Sequence, residues 1–232
     1  EVVDTYELGA RMELMDGRVR LNPTLFYMSY RDKQEVIIKG AGGGLTTSVV
    51  FNASELEYFG VELELDARIS DRLTLRASVG YLDSEVEEFL IEDFSTAVST
   101  FIDDSDNRQV RRAPELNYSI NLDYTVPVSN NGEITFFGLY SWRDEMFTDG
   151  IKDGLAQFDL DEIESYGSAD FSVTYTHNVN NSIDSFTVSA FVHDAFSDDR
   201  GRVVDKRNAI GALAFGFLSA TKLWGIEATI DF

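Results

Sequence analysis

Cysteine is absent from this 232-residue chain, so neither a disulfide framework nor a thiolate metal site can be built from it. Histidine is almost absent: His177 and His193 are too few for a histidine-rich centre, which needs about three or four ligands. Only three prolines occur. No apolar run reaches the roughly 18 residues of a membrane-crossing helix. Positive charge is scarce: 19 Lys and Arg face 41 Asp and Glu, for a net charge of −22. That balance argues against nucleic acid as a partner, since phosphate binding needs clustered bases that displace counterions. It also disfavours peripheral docking on anionic lipid through a basic patch. The opening "EVVDTYELGARMEL" has no basic start and no apolar core of a signal peptide. It begins directly in strand-like sequence, so the expectation is a fragment of a longer polypeptide.

What is present is alternation. The stretch "FGVELELDARI" (59–69) puts Phe59, Val61, Leu63, Leu65, Ala67 and Ile69 on one side of an extended chain. Gly60, Glu62, Glu64, Asp66 and Arg68 fall on the other. The pattern recurs at Tyr6–Leu14, Val19–Tyr27, Leu73–Tyr81, Leu116–Val126 and Trp224–Phe232, and over 133–143, 166–176 and 185–196, least cleanly in 133–143. The period-2 test gives roughly nine strands.

The connections alternate in length. "MDGR" (15–18), "ISDR" (69–72), "SNNGE" (129–133) and "NVNNSID" (178–184) have tight-turn chemistry. Between them lie long polar loops near 34–50, 90–112, 149–164 and 198–220. An antiparallel meander then places every tight turn at one end of the sheet and every long loop at the other. Several runs keep the alternation for ten residues or more, matching the roughly 9–11 residues of a tilted membrane strand. Aromatics such as Tyr27, Tyr81, Trp142 and Trp224 fall near run ends, where interfacial girdles belong. These features favour an up-and-down transmembrane β-barrel with short periplasmic turns and long extracellular loops. A soluble all-β module, whose apolar faces pack on each other, remains the alternative, with a passive porin-like barrel as a third.

The passage "NASELEYFGVELELDARISDRLTLRASVGYLDSEVEEF" (52–89) resembles the barrel of TonB-dependent outer-membrane receptors, with Asn52, Ala53, Gly60, Val61, Glu62, Leu73, Gly80, Tyr81, Asp83 and Phe89 in the family's order. "YELGARMELMDGRVRLNPTLFYMSYRD" (6–32), "RRAPELNYSINLDYTVPV" (111–128) and the ending "WGIEATIDF" are similar to further family strands. "FVHDAFSDD" (191–199) departs from the family pattern: Asp194 and Ala195 stand where the family often has Asn and Leu. The resemblance implies that residues 1–232 form the C-terminal portion of a 22-stranded barrel, without its plug domain. It implies outer-membrane lipid and lipopolysaccharide, the plug, the remaining strands, TonB (through the missing N-terminal part) and the barrel-assembly machinery as partners. The implied role is uptake of a scarce ligand, such as a ferric siderophore, cobalamin or a glycan, across a Gram-negative outer membrane. It also implies that the last strand is an assembly signal, carried by Trp224, Ile230 and Phe232.

Other motifs carry plainer meanings. "KGAGGGLTTS" (39–48) lacks the lysine of a phosphate loop and reads as an external loop. The acidic stretch from Asp83 to Asp106 lacks the Asp-x-Asp-x-Asp-Gly calcium pattern and reads as solvated. Glu62, Glu64, Asp66, Arg68, Arg72 and Arg76 are expected on the lumen-facing wall, bridging between strands and to a plug. No nucleophile–base set of the Ser-His-Asp kind can be assembled, so the chain is not expected to be an enzyme, and no cofactor is expected. Ligand contacts are assigned to the four long loops as regions rather than to single residues.

Overall fold

The computed structural model describes residues 1–42, 45–93, 100–148, 150–152, 162–179, 185–197, 203–208, 214–218 and 221–231, with backbone alone for 37–42, 45–46, 203–208 and 214–218. Strands β1 (Val2–Gly9), β2 (Met12–Leu14), β3 (Val19–Gly42), β4 (Leu45–Arg68) and β5 (Leu73–Glu92) are followed by the short β6 (Phe101–Asp103). Then come β7 (Leu116–Ser129), β8 (Gly132–Arg143), the two-residue β9 (Met146–Phe147) and β10 (Glu162–Ile163), and β11 (Tyr166–Asn178). The chain closes with β12 (Ser185–His193), β13 (Val203–Asn208), β14 (Ala214–Leu218) and β15 (Leu223–Asp231).

The main sheet is an antiparallel meander in the order β1-β3-β4-β5-β7-β8-β11-β12-β15. β2 continues β1 along β3, and β6 extends the end of β5. The gap between β1 and β2 has a local cause. Ala10 N donates to the Pro23 carbonyl at 3.0 Å, so Pro23 turns its backbone toward β1. In an antiparallel ladder its N–H would point the same way, and proline has none. The outer edges of β1 and β15 pair with no described strand, so the sheet is not closed.

Register lines up the alternation of neighbouring strands. One row runs Leu14, Val19, Ala67, Leu75, Leu122, Gly138, Phe171, Val192, Trp224, nine strands wide and apolar throughout. On the other face Asn22, Glu64, Ser78, Ser119, Ser141 and Ser168 stand in one row. The apolar face is uncovered: Leu8 is 75% exposed, Trp224 74% and Ile226 75%. The buried apolar residues among those described are few, and Ala53, Leu56 and Val86 gather at the upper end of β4 and β5.

The two ends of the sheet differ. Met15, Asp16 and Gly17 carry positive φ in the tight turn from β2 to β3, and residues 69–72 and 130–131 make the next two turns at that end. The 178–184 turn lies mostly outside the described residues. At the opposite end the expected 34–50 loop is not a loop. β3 and β4 stay paired to Gly42 and Leu45. Residues 33–42 alone extend about 30 Å at roughly 3.3 Å per residue. β-Branched residues flank the glycines on both arms, Val36, Ile37 and Ile38 on one and Thr46, Thr47, Val49 and Val50 on the other, and the backbone ladder carries the pairing between them. The 198–220 region contains the β13–β14 hairpin rather than irregular chain only.

Candidate functional site

The polar face begins with the wall residues of β4 and β5. Asp66 and Arg76 are register partners, and Arg76 Nε lies 3.5 Å from the Asp66 carboxylate. Arg76 Nη1 also donates to Asp123 at 2.7 Å and Asn121 at 3.1 Å on β7, so one guanidinium ties three strands. Asn22 donates to Glu64 at 3.2 Å. Glu62 stands opposite Thr24 and Gly80. Together with Arg11, Glu13 and Arg20, these glutamates border an open polar cavity of about 900 Å³ along β1 to β4. Arg68 faces Thr74, and its backbone N–H donates to the Arg18 carbonyl at 2.8 Å. Arg72 lies in the tight turn, its N–H on Ser70 Oγ at 3.2 Å, apart from the Arg76 ladder. Trp224 and Ile230 share the apolar face, 74% and 48% exposed. Phe232 lies outside the described residues.

At the far end the segments after β6 and β8 are joined by backbone hydrogen bonds. Gln109 N donates to the Gly150 carbonyl at 3.0 Å, Arg112 N to Phe147 at 2.8 Å, and Lys152 N to Asn107 at 2.8 Å. Arg108 and Ile151 form an antiparallel bridge. This clasp binds the 90–112 and 149–164 regions, separate loops by their spacing in sequence, into one body. Its base is anchored by Asp103, which accepts from Phe89 N at 2.9 Å and from Ser105 N at 3.0 Å. The Phe89 N–H holds the Asp103 carboxyl below the ordinary carboxylate range, helped by the Ser105 donors and opposed by burial. Arg108 bonds Asp104 at 2.6 Å and stacks on Phe89 with its guanidinium carbon 4.1 Å from the ring centre. Residues 149 and 153–161 lie outside the described part of this region, as do 94–99 and much of 198–220.

A family model described as TonB dependent receptor-like, beta-barrel, matches residues 1–193. The chain belongs to that family. Solved structures of ferric-ligand receptors share its fold at low identity. The ferric yersiniabactin uptake receptor from Yersinia pestis is 19% identical with a TM-score of 0.70, and the match covers 99% of this chain and 30% of that one. The ferric preacinetobactin receptor from Acinetobacter baumannii is 15% identical with a TM-score of 0.66, covering 99% and 29%. The ferric-catecholate import receptor of E. coli K12 is 15% identical with a TM-score of 0.61, covering 98% and 27%. The chain thus spans less than a third of the length of these proteins.

In this member of the TonB-dependent receptor-like family, sequence reasoning missed two features. The clasp pairs segments about 40 residues apart that have no alternation to reveal them. Arg143 was read only as the end of a strand. Its Nε and Nη2 are buried without an acceptor among the described residues, Nη1 lies 2.8 Å from Met146 Sδ, and its guanidinium covers the Tyr166 ring at 4.8 Å. The histidines do not form a pair. His177 stands on the apolar face near the turn end, 3.2 Å from Tyr175 Oη. His193 stands on the other face, 3.2 Å from Asp170. Among the described residues no group of three or more His, Asp or Glu could hold a metal ion.

Proposed function

We propose that residues 1–232 form the C-terminal portion of the barrel domain of an outer-membrane TonB-dependent transporter. The single observation that carries this reading is the nine-strand apolar row, uncovered on one side and backed by a polar wall. A soluble sheet of this width would bury that face against another layer, whereas hydrocarbon would cover it at no loss of backbone pairing. The polar face is the lumen wall. There Glu64, Asp66 and Arg76 bridge between strands, and Glu62, Arg68 and Arg72 are assigned with them to contacts with a plug domain carried elsewhere in the full receptor, where TonB would also engage. Lipopolysaccharide and outer-membrane lipid surround the apolar face. The barrel-assembly machinery reads the last strand through Trp224, Ile230 and Phe232. The cargo is a scarce ligand of the ferric siderophore, cobalamin or glycan kind, met first by the long loops. The reading is supported by the family membership and by the ferric receptors that share the fold.

The test is quenching of Trp224 fluorescence by brominated lipids in the full-length receptor, with Trp142→Phe leaving Trp224 as the reporter within this chain and tryptophans elsewhere replaced by Phe. Strong quenching that varies with bromine depth is expected. A folded protein that stays in water, with Trp224 unquenched, would leave the soluble module instead. Passive, TonB-independent leakage of small solutes would point to a porin.

A further inference from the structure

Four long connections leave the far end of the sheet, and contacts among the described residues join each to the next. The β3–β4 hairpin meets the segment after β5 at two points. Glu35, which also bonds Lys33, lies 3.5 Å from Arg111. The Phe51 and Phe101 rings stack with centres 5.1 Å apart and planes 5° from parallel. The clasp then joins Arg108 to Ile151 and Arg112 to Phe147 of β9. β9 pairs with β10, Met146 opposite Ile163, and Ile163 is wholly buried. β10 in turn lies against β13, which belongs to the 198–220 connection. To move the clasp alone would break the joints on both sides of it. To move all four connections together keeps every joint.

A second observation marks where such a body ends. Outside the β2–β3 turn, three non-glycine residues among those described carry positive φ: Asp32 at 54°, Arg112 at 55° and Asp194 at 49°. Each stands where the wall passes into a connection. Asp32 lies in the irregularity that shifts the β3–β4 register between Tyr30 and Lys33. Arg112 lies between the clasp and β7, and Asp194 directly follows β12. β4 shifts its own register against β5 between Glu55 and Leu56, and Leu56 is the partner of Tyr30, so both irregularities fall at one level. Positive φ is sparsely populated by residues with a Cβ, and bulges bend the strand that carries them. Hinges are built from a few residues at element ends that absorb a backbone change.

We infer that the four long connections form one cap that opens and closes as a body, bending on the wall at Asp32, Arg112, Asp194 and the β4 irregularity. This deepens the transporter reading and rests on it. Over a barrel lumen, such a cap admits cargo through one collective movement rather than through separate flaps. A contact made by one connection is then felt by the other three.

The test uses the full-length receptor in detergent with Arg108→Cys and Ile151→Cys, the bridge partners of the clasp. Backbone hydrogen exchange, read by mass spectrometry, is compared with that pair oxidised and reduced. Cross-linking residues about 40 positions apart should slow exchange of the cooperative unit that contains them by about tenfold or more. The slowing is expected at 107–112 and 150–152, and equally around 47–53, 162–163 and 203–208, with the wall strands at 73–81 and 116–126 unchanged. Slowing confined to the two cross-linked segments, or spread into the wall, would overturn the single cap. A second variant cuts one joint. Arg111→Gln with Phe101→Leu, added to the cysteine pair, should remove the slowing at 47–53 and leave it at 162–163 and 203–208. Slowing at 47–53 that survives both substitutions also counts against the proposal. Membrane insertion of the parent receptor is scored separately by heat-modifiable gel mobility. An inserted receptor with only local slowing rejects the cap alone, while a parent that never inserts rejects the transporter reading with it.

Discussion

Gly60 shows what a single side chain decides on this wall. A Cβ added there would stand 2.1 Å from Phe26 Cζ, because the Phe26 ring lies flat over its register partner on β4. An aromatic ring covering a cross-strand glycine supplies the packing that glycine lacks. Gly167, whose register partner is Trp142, lies diagonally under Tyr140 on the apolar face, with the phenol oxygen 2.3 Å from an added Cβ. Gly60→Ala is therefore expected to destabilise the barrel by about 1–3 kcal/mol, the usual penalty of overpacking. Phe26→Ala in the same chain should restore most of it, and urea midpoints of the inserted receptor check both. Arg76 behaves differently. It bonds Asp66 and Asp123, but its side chain is 54% exposed, so screening discounts the pairs and Arg76→Gln should lose under about 1 kcal/mol. That Asp66 and Arg76 share a face was legible from alternation. Their pairing was not, nor was the Phe26–Gly60 contact, since both depend on register between strands.

Among the elements, strand existence was easy to read and strand length was not. β7, β8 and β11 end near where their alternation ends. β3 runs on to Gly42 and β4 starts at Leu45, because once two antiparallel strands are paired each added pair gains ladder hydrogen bonds whatever the side chains. The clasp is likewise a backbone device. Since Arg108 and Ile151 are bridge partners, their Cα atoms are about 4.5–5.5 Å apart, within disulfide reach. Arg108→Cys with Ile151→Cys should cross-link on mild oxidation, read as a mobility shift reversed by reductant, whereas Arg108→Cys with Ser129→Cys should not. The Asp103 anchor has a pH signature. Its folded pKa is depressed, so its contribution is present above the unfolded value of about 3.9 and is lost as pH falls through the lower folded value. Hydrogen exchange of the Phe89 and Ser105 amides should lose protection in that acidic window in the native chain. In Asp103→Asn the protection should be weaker and independent of pH.

For the whole molecule, the deciding quantity is the pair of open edges. β1 and β15 each present an unpaired row of backbone groups among the described residues, which hydrocarbon does not tolerate and water exposes to edge-to-edge association. Residues 1–232 expressed alone should therefore give oligomers or aggregates by light scattering. Co-refolding with the remaining strands of a full barrel should give a monodisperse, heat-modifiable species. A monomeric, membrane-inserted product from 1–232 alone would contradict this.

The sequence by itself determined the strand class, the two unlike faces, the tight-turn end and the family, because each is written in residue type at a spacing of two or in a local motif. Tertiary structure decided the register that turns separate stripes into one nine-strand apolar row. It also decided the length of the β3–β4 hairpin, the clasp, and the meeting of Glu35 with Arg111. Those features depend on pairing between residues far apart in the chain, and backbone hydrogen bonds, which set that pairing, are the same for nearly every residue.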